Sequence, residues 1–159
     1  MIAVIHNVRS LHNVGAILRT ADGAGLERIY LTGITPSPLD RFGKARPQLA
    51  KVSLGAEDVV PWEKVVSTAG LLKKLKKEGY RIFALEQAKG AVPYYKASGK
   101  GKGERRKKVA LVVGNEVKGL PLSVLKLADK IIEIPMLGAK ESLNVSVAFG
   151  IAAYQLTIE

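Results

Sequence analysis

Short apolar runs, rich in β-branched residues, alternate along this chain with longer segments of helical periodicity. A strand that is apolar on both faces is typical of a parallel sheet covered on both sides. The alternation of such strands with helices predicts an α/β fold, with a mostly parallel six-stranded sheet and helices on both faces. The predicted strands are IAVI (2–5), RIYLT (28–32), EDVV (57–60), RIFAL (81–85), VALVV (109–113) and KIIEI (130–134).

Four segments have the pattern of helices. Ser10 is a candidate N-cap for the first of them, and Gly25 is placed to end it. The last one has no charged residue between Ser142 and Ile158, which indicates a helix buried on nearly every side. It is short for a membrane span and contains Ser, Asn, Gln and Thr, so we expect a core helix. The predicted helices are 11–24, 63–78, 122–128 and 143–157.

The length and composition limit the class of protein. A chain of 159 residues is expected to form a single domain. It has no cysteine and only two histidines, so we expect neither a disulfide framework nor a metal site. The N-terminus MIAVIHNVRS has no basic segment ahead of an apolar run, so no secretory signal is predicted and a cytoplasmic protein is expected.

The charge balance indicates a polyanionic partner. Lys and Arg total 25 against 14 Asp and Glu, for a formal net charge of +11. Such an excess favours a nucleic acid, although composition does not separate RNA from DNA. Two predicted loops concentrate the basic residues: 33–51, rich in Gly and Pro and expected to be mobile, and the low-complexity tract 96–108. The tract either contacts phosphates or is a solvated linker.

The segment GNEVKGLP (114–121) directly follows a predicted strand. Its GxxxxG spacing resembles a P-loop, but Leu120 and Pro121 replace the required Lys and Ser/Thr, so an NTPase is not predicted. A Gly-rich turn at the carboxyl end of a strand is where open α/β sheets bind ligands. Gly114 and Gly119 are expected to let the backbone approach a ligand, and Glu116 is the only acid there. The alternative is a plain connection between strand and helix.

The first predicted helix carries two polar residues of interest. Arg19 lies outside the apolar stripe of this helix. This is also the usual position of a solvated surface residue, which is the alternative interpretation. Asn13 lies in the first turn, where a capping role is common. His6 and His12 lack a GxSxG nucleophile to activate, so both are interpreted as structural or RNA-facing.

Three segments, taken in order, resemble the signature of one family. They are NVGAILRTADGAG followed by IYLTG, then VALVVGNEVKGL, then IIEIPMLGAKESLNVSVAFGIAAY. Together they closely resemble the three motifs of the SpoU/TrmH-type RNA ribose 2′-O-methyltransferases of the SPOUT superfamily. The resemblance covers the whole chain, and the three motifs with this spacing are far more specific than any one.

The resemblance implies a fold and a cofactor. It implies a C-terminal trefoil knot, which patterning alone never suggests because knots are rare. It also implies S-adenosylmethionine bound between the turns around 84–87, 114–119 and 134–144, and a homodimer with the last helix at its interface. The residues expected to contact the cofactor are Leu85, Glu86, Gly114, Asn115, Gly119, Ile134, Met136 and Leu143. The family usually adds segments for substrate recognition around its catalytic core. Here the predicted core fills residues 1–159, so we expect a single methyltransferase domain with no separate RNA-binding extension.

The resemblance also assigns catalytic and RNA-binding roles. Arg19 is similar to the residue that acts on the acceptor ribose 2′-hydroxyl, either as a base or by stabilising alkoxide charge; a guanidinium that stays protonated favours the second. Ser142 is also a candidate cap for the last helix. The alternative function is a non-catalytic RNA-binding protein that retains the scaffold. The implied catalytic residues are Asn13, Arg19, Glu116, Ser142 and Asn144. The candidate RNA-binding residues are Arg9, Arg41, Lys44, Arg46, Lys100, Lys102, Arg105 and Arg106.

Overall fold

The computed structural model describes residues 1–97 and 108–158, and these form one parallel sheet flanked by helices. The strands are β1 (Ile2–His6), β2 (Arg28–Thr32), β3 (Trp62–Val65), β4 (Arg81–Leu85), β5 (Val92–Pro93), β6 (Val109–Val113) and β7 (Lys130–Glu133). The helices are α1 (Leu11–Gly23), α2 (Pro47–Ser53), α3 (Ala56–Val59), α4 (Thr68–Lys77), α5 (Leu122–Leu125) and α6 (Val145–Ile158), with a 3-10 turn at Tyr94–Lys96.

The sheet has the strand order β3-β2-β1-β6-β4-β7-β5, and each of the strand pairs formed by the described residues is parallel. β6 is the central strand, and β1 lies beside it, with Ile2 opposite Arg28 of β2 on one side and Ala110 of β6 on the other. Because the strands are parallel, the segments that follow them all emerge at one edge of the sheet. Ligands of open α/β sheets bind at this edge.

Alternate residues of the central strands face two separate cores. Ala3 and Ile5 of β1 join the core formed with α1, α2, α3 and α6, while Ile2 and Val4 join the core formed with α4 and α5. Side chains of a strand alternate between the two faces, so a strand covered on both sides must be apolar throughout. The prediction of an α/β fold with a parallel sheet and helices on both faces is therefore confirmed.

The ends of α1 follow the capping signals in the sequence. The hydroxyl of Ser10 accepts a hydrogen bond from the backbone N–H of Asn13 at 3.2 Å, which satisfies one of the free donors of the first turn. Gly25 has a φ of +66°, the left-handed conformation that commonly follows a helix. Both predictions for this helix are confirmed.

The predicted sheet of six strands is wrong in its details. Residues 57–60 are not a strand: α3 begins after Gly55, and the acidic Glu57 and Asp58 lie in its first turn, where they complement the helix dipole. The predicted helix 63–78 divides into strand β3 and helix α4, because Trp62–Val65 pairs with β2 and Ser67 caps the helix that follows. The two-residue strand β5 was not predicted, so the described residues contain seven strands.

The predicted loop 33–51 contains regular structure. It contains a short hairpin around Leu39 and Ala45, and α2 begins at Pro47. The basic tract 96–108 lies largely outside the described residues. Within residues 1–97 and 108–158, the structure holds no helix with both the length and the apolar character that a bilayer crossing requires.

Candidate active site

A cavity of about 190 Å³ opens at the carboxyl edge of the sheet. Three segments form its walls: those that follow β4, β6 and β7, the last leading into α6. All eight residues expected to contact a cofactor line this cavity: Leu85, Glu86, Gly114, Asn115, Gly119, Ile134, Met136 and Leu143. Glu116 and Ser142, which were predicted as catalytic residues, also line it. The remaining lining residues were not among the predicted site residues: Gln87, Val113, Val117, Glu133, Val145 and Ala148.

The cavity is acidic although the chain is strongly basic. Glu86, Glu116 and Glu133 line it, and within residues 1–97 and 108–158 no Lys, Arg or His is among the lining residues. The formal net charge of the chain is +11. Apolar side chains of Leu85, Ile134 and other residues complete the walls. A cavity with this composition suits a ligand that has both a flat apolar part and a positive charge.

Glu116 ties the turn after β6 to the start of α1. Its carboxylate accepts hydrogen bonds from the backbone N–H of Arg9 at 3.1 Å and of Ser10 at 3.0 Å. It also accepts one from the side-chain amide of Asn13 at 3.1 Å. The donors are more than 100 residues away in sequence. Glu116 therefore holds two of the segments at this edge of the sheet in one arrangement.

The hydrogen bonds keep Glu116 ionised. Burial alone raises the pKa of its carboxyl, but the N–H donors of Ser10 and Arg9, with the Asn13 amide, outweigh burial and hold the pKa below its ordinary value. A carboxylate with a lowered pKa and its oxygens already engaged by donors is a weak proton acceptor. The geometry therefore gives Glu116 a positioning role.

Asn13 connects Glu116 to the start of α6. The side-chain amide of Asn144 donates to Asn13 Oδ1 at 3.1 Å, and Asn13 is buried. Asn144 Oδ1 in turn accepts from the backbone N–H of Ser146 at 2.9 Å and from its hydroxyl at 2.6 Å. Asn144 is thus the N-cap of α6. The three predicted residues Asn13, Glu116 and Asn144 form one continuous network.

Ser142 does not have the predicted capping role. α6 begins at Val145, so Ser142 lies two residues before the cap, exposed at the rim of the cavity. Arg19 lies on α1 beyond the lining residues, and its side chain is exposed. At 1.5 Å per residue, Arg19 is roughly 9 Å further along the helix than Asn13. Arg19 therefore lies outside the cavity, further from the N-terminal end of α1 than Asn13.

Glu86 ties the segment after β4 to the Gly-rich turn. Its carboxylate accepts from the backbone N–H of Leu120 at 2.7 Å and of Gln87 at 3.0 Å. Gly119 has a φ of +62°, and a Cβ there would lie 2.2 Å from Glu86 Oε2. A Cβ on Gly114 would lie 2.5 Å from the backbone of Gly119. Both glycines are thus favoured by close approaches within the turn itself, and both also line the cavity.

His6 and Asn7 order the segment that follows β1. Asn7 Nδ2 donates to His6 Nε2 at 3.0 Å, His6 Nδ1 contacts Thr68 Oγ1 at 2.7 Å, and the Thr68 hydroxyl donates to Thr32. These directions require a neutral imidazole protonated at Nδ1, and burial lowers the pKa of His6 in agreement. The structural interpretation of His6 fits this chain of bonds. The Asn7 carbonyl accepts from Asn115 Nδ2 at 2.8 Å, a link to the cavity wall that sequence reasoning missed.

The candidate RNA-binding residues fall into three places. Arg9 is exposed in the segment between β1 and α1, directly beside the network of Glu116. Arg41, Lys44 and Arg46 belong to the hairpin that follows β2. Lys100, Lys102, Arg105 and Arg106 lie outside the described residues.

Two solved structures share this fold. An AdoMet-bound rRNA methyltransferase from Sinorhizobium meliloti superposes with a TM-score of 0.83 and 30% identity, over 97% of this chain and 54% of that one. A structure described as giving insights into the 2-OH methylation of C/U34 on tRNA superposes with a TM-score of 0.77 and 30% identity, over 97% of this chain and 91% of that one.

The sequence has curated relatives of the same kind. It is 33% identical over 155 residues to the 23S rRNA (guanosine-2'-O-)-methyltransferase RlmB of Ralstonia nicotianae, an alignment that covers 98% of this chain and 57% of the relative. The chain thus spans a little over half the length of that relative. The sequence model of the SpoU rRNA methylase family matches residues 1–154. With that match over nearly its whole length, the chain belongs to the SpoU rRNA methylase family.

Proposed function

We propose that this chain catalyses the S-adenosylmethionine-dependent methylation of a ribose 2′-hydroxyl in RNA. The observation that carries the proposal is the acidic cavity of a basic protein, placed where three segments of a parallel sheet meet. The positive surface suits RNA and the negative cavity suits a sulfonium cofactor. Family membership supports the reaction class, and the names of its relatives include both rRNA and tRNA as substrates.

The lining residues fit S-adenosylmethionine. Glu86, Glu116 and Glu133 supply negative charge for the sulfonium and ammonium groups, and Leu85, Ile134 and Met136 supply apolar surface for adenine. The bound cofactor supplies an electrophilic methyl group, so no covalent enzyme intermediate is required. The task of the chain is then to hold the ribose oxygen in line and to stabilise the charge that develops on it.

Each residue of the network has a proposed part in that task. Asn13, Glu116 and Asn144 are positioning residues, because their hydrogen bonds fix the segments that form the cavity. Arg19 is exposed on α1. Because a guanidinium carries a permanent positive charge, we assign it to stabilising the alkoxide or the adjacent phosphate. Ser142 is exposed at the rim and is assigned to contacting the ribose.

We also propose that the C-terminal segment is threaded into a trefoil knot. The segments after β4, β6 and β7 are joined by hydrogen bonds: Glu86 accepts from Leu120, and Gln87 Nε2 donates to the carbonyl of Glu141 at 2.8 Å. The fold similarity to other SpoU methyltransferases supports the same threading in this chain.

We propose a homodimer formed through α6. One side of this helix is buried against α1, through Phe149, Ala153 and other residues. The opposite side is also apolar but solvent-exposed: Val147 is 50% and Ile158 is 79% accessible. A helix that is apolar all round is normally covered on every side. We expect Val147→Glu to convert a dimer into a monomer in sedimentation velocity, while Val59→Glu, at an exposed apolar site elsewhere, leaves the dimer intact.

Calorimetry with S-adenosylmethionine tests the cofactor assignment first. Saturable binding, reduced in the Glu133→Gln variant, is expected; absent binding by a folded protein would instead favour a non-catalytic RNA-binding scaffold. Methyl transfer to total RNA from cells that lack the protein, followed by mapping of the modified riboses, then tests the reaction. Arg19→Ala is expected to abolish transfer with cofactor affinity unchanged, and full activity of this variant would remove Arg19 from the site.

A further inference from the structure

The segment that follows β2 presents an aromatic ring to solvent on a rigid support. Residues 38–46, called here the 38–46 hairpin, are closed by hydrogen bonds between backbone groups: Arg46 N–H to the Pro38 carbonyl at 2.9 Å and Asp40 N–H to the Lys44 carbonyl at 2.8 Å. At its tip the side chain of Phe42 is 71% exposed. A single exposed apolar side chain is common on protein surfaces, so the case for a partner depends on how this ring is held and on the charges beside it.

The side chain of Asp40 fixes the tip of the hairpin. Its Oδ1 accepts from the backbone N–H of Phe42 at 2.8 Å and of Lys44 at 2.9 Å. This arrangement is an Asx turn, which restricts the backbone on both sides of Phe42. The position of the ring is therefore set before any partner arrives, which lowers the entropy cost of binding.

Two exposed cations belong to the same tip as the ring. The guanidinium of Arg41 lies 4.7 Å from the centroid of the Phe42 ring, and Lys44, two residues further along the chain, is also exposed. Among the ion pairs that the described residues form, none involves Arg41 or Lys44. An aromatic face flanked by unpaired cations is the combination with which proteins hold single-stranded nucleic acid, by stacking bases and neutralising phosphates.

The base of the hairpin is tied to the candidate active site. The backbone N–H of Ile34 donates to Asn7 Oδ1 at 3.0 Å, and Asn115 of the cavity wall donates to the Asn7 carbonyl at 2.8 Å. Thr35, buried at the same point, donates to the carbonyl of Ile5 at 2.9 Å. The hairpin thus rises from the edge of the sheet where the cavity opens.

We propose that Phe42 stacks on an unpaired base of the RNA substrate, with Arg41 and Lys44 against the flanking phosphates. This inference rests on the proposed function, since it assigns the substrate a single-stranded stretch next to the acceptor nucleotide. A base in a loop or bulge has a free face for stacking, whereas a base inside a duplex does not. The hairpin therefore selects RNA with an unpaired base near the acceptor.

Binding of a short oligouridylate, measured by fluorescence anisotropy, tests the stack. If the Phe42 ring stacks on one base, Phe42→Ala is expected to bind the oligouridylate with a roughly 5- to 150-fold lower affinity. Phe42→Leu keeps the apolar surface without an aromatic face and is expected to lose nearly as much, while Phe42→Trp retains or gains affinity. Val59→Ala, which truncates a side chain of similar exposure, 66%, is expected to bind normally.

Two further measurements separate stacking from charge. On an abasic oligomer of the same length, the parent and Phe42→Ala are expected to bind equally, because no base is present. Phe42→Ala is expected to keep the slope of log affinity against log salt, whereas Arg41→Ala and Lys44→Ala each reduce it by about 0.7, the value for one phosphate contact on a single strand.

Unchanged oligouridylate binding by Phe42→Ala would overturn the proposal, and so would an equal loss on the abasic oligomer. If RNA binding is unaffected while Phe42→Ala loses a protein partner, the hairpin is a protein-docking element and the proposal also fails. The proposed function is tested separately, because cofactor binding and methyl transfer do not use the oligouridylate. A stack with no methyl transfer would remove the enzyme assignment and leave the hairpin assignment intact.

Discussion

Replacing Glu116 by Gln separates the two roles that the structure gives this residue, as a link between segments and as a negative wall of the cavity. The carboxylate accepts from the backbone of Arg9 and Ser10 and from the Asn13 amide, at 3.0 to 3.1 Å. A Gln side chain keeps one acceptor oxygen. Its NH2 group replaces the second oxygen and cannot accept hydrogen bonds from these donors. Each hydrogen bond to a charged group contributes about 1.5–3 kcal/mol, but exposure of the side chain weakens it.

We therefore expect Glu116→Gln to lower the free energy of unfolding by about 2 kcal/mol at neutral pH, a fall in Tm of roughly 4–8 °C for a chain of this size. The matched control is Glu133→Gln, which changes the charge of the same cavity at a residue whose carboxylate makes no hydrogen bond with the described residues. We expect Glu133→Gln to keep its Tm and to lose affinity for S-adenosylmethionine. Thermal denaturation and calorimetry measure both quantities.

The effect of Glu116→Gln is expected to depend on pH. Because hydrogen bonds hold the folded-state pKa of Glu116 below its ordinary value, the carboxylate stabilises the fold at pH above that ordinary value. This contribution is lost as the pH falls through the lower folded-state pKa. The difference in unfolding free energy between parent and variant should therefore shrink in acid. An equal difference at neutral and strongly acidic pH would refute the assignment of the stabilisation to the ionised carboxylate.

Two further substitutions test the turn and the network. Gly119→Ala combines a left-handed φ of +62° with a Cβ 2.2 Å from Glu86 Oε2, so we expect a loss of at least about 1–2 kcal/mol in urea denaturation, partly restored by adding Glu86→Ala. No restoration would mean that backbone strain alone is responsible. Asn144→Ala removes the cap of α6 and should cost about 1 kcal/mol. A double-mutant cycle with Asn13→Ala is expected to show coupling above 0.5 kcal/mol in the same assay, and additive effects would argue against the bond between the two amides.

The sequence predicted best the features that depend on local chemistry. Helix α1 was found because an apolar stripe, the Ser10 cap and Gly25 all act within a few residues of the helix they define. Residues 57–60 were assigned wrongly because the valines favour a strand, while Gly55 and the acids that follow it favour a helical turn. Strand β3 depends on pairing with β2, which local pattern does not encode.

The convergence of the lining residues was also predictable, whereas their hydrogen bonds were not. Each predicted cofactor residue ends a strand, follows one or precedes α6, and parallel strands end at a common edge, so residues distant in sequence meet there. The hydrogen bonds from the backbone of Arg9 and Ser10 to Glu116 join residues more than 100 positions apart, and no spacing rule predicts them. Asn144 caps α6, instead of Ser142, because the helix begins at Val145, two residues later than predicted.

The distribution of charge explains how a basic protein would hold the positively charged cofactor that we propose for it. Two acids of the cavity accept backbone N–H bonds from neighbouring turns: Glu116 from Arg9 and Ser10, and Glu86 from Leu120. Such bonds stabilise a carboxylate without an ion pair. An Arg or Lys partner would have stabilised these carboxylates equally well, but it would have cancelled the field inside the cavity. Backbone donors carry only partial charges, so the cavity keeps a negative potential close to the basic surface that we propose to bind RNA. On this reasoning, replacing Leu120, whose N–H donates to Glu86, by proline is expected to weaken cofactor binding less than Val117→Lys does. Val117 lines the same cavity, so Val117→Lys places a positive charge in its wall.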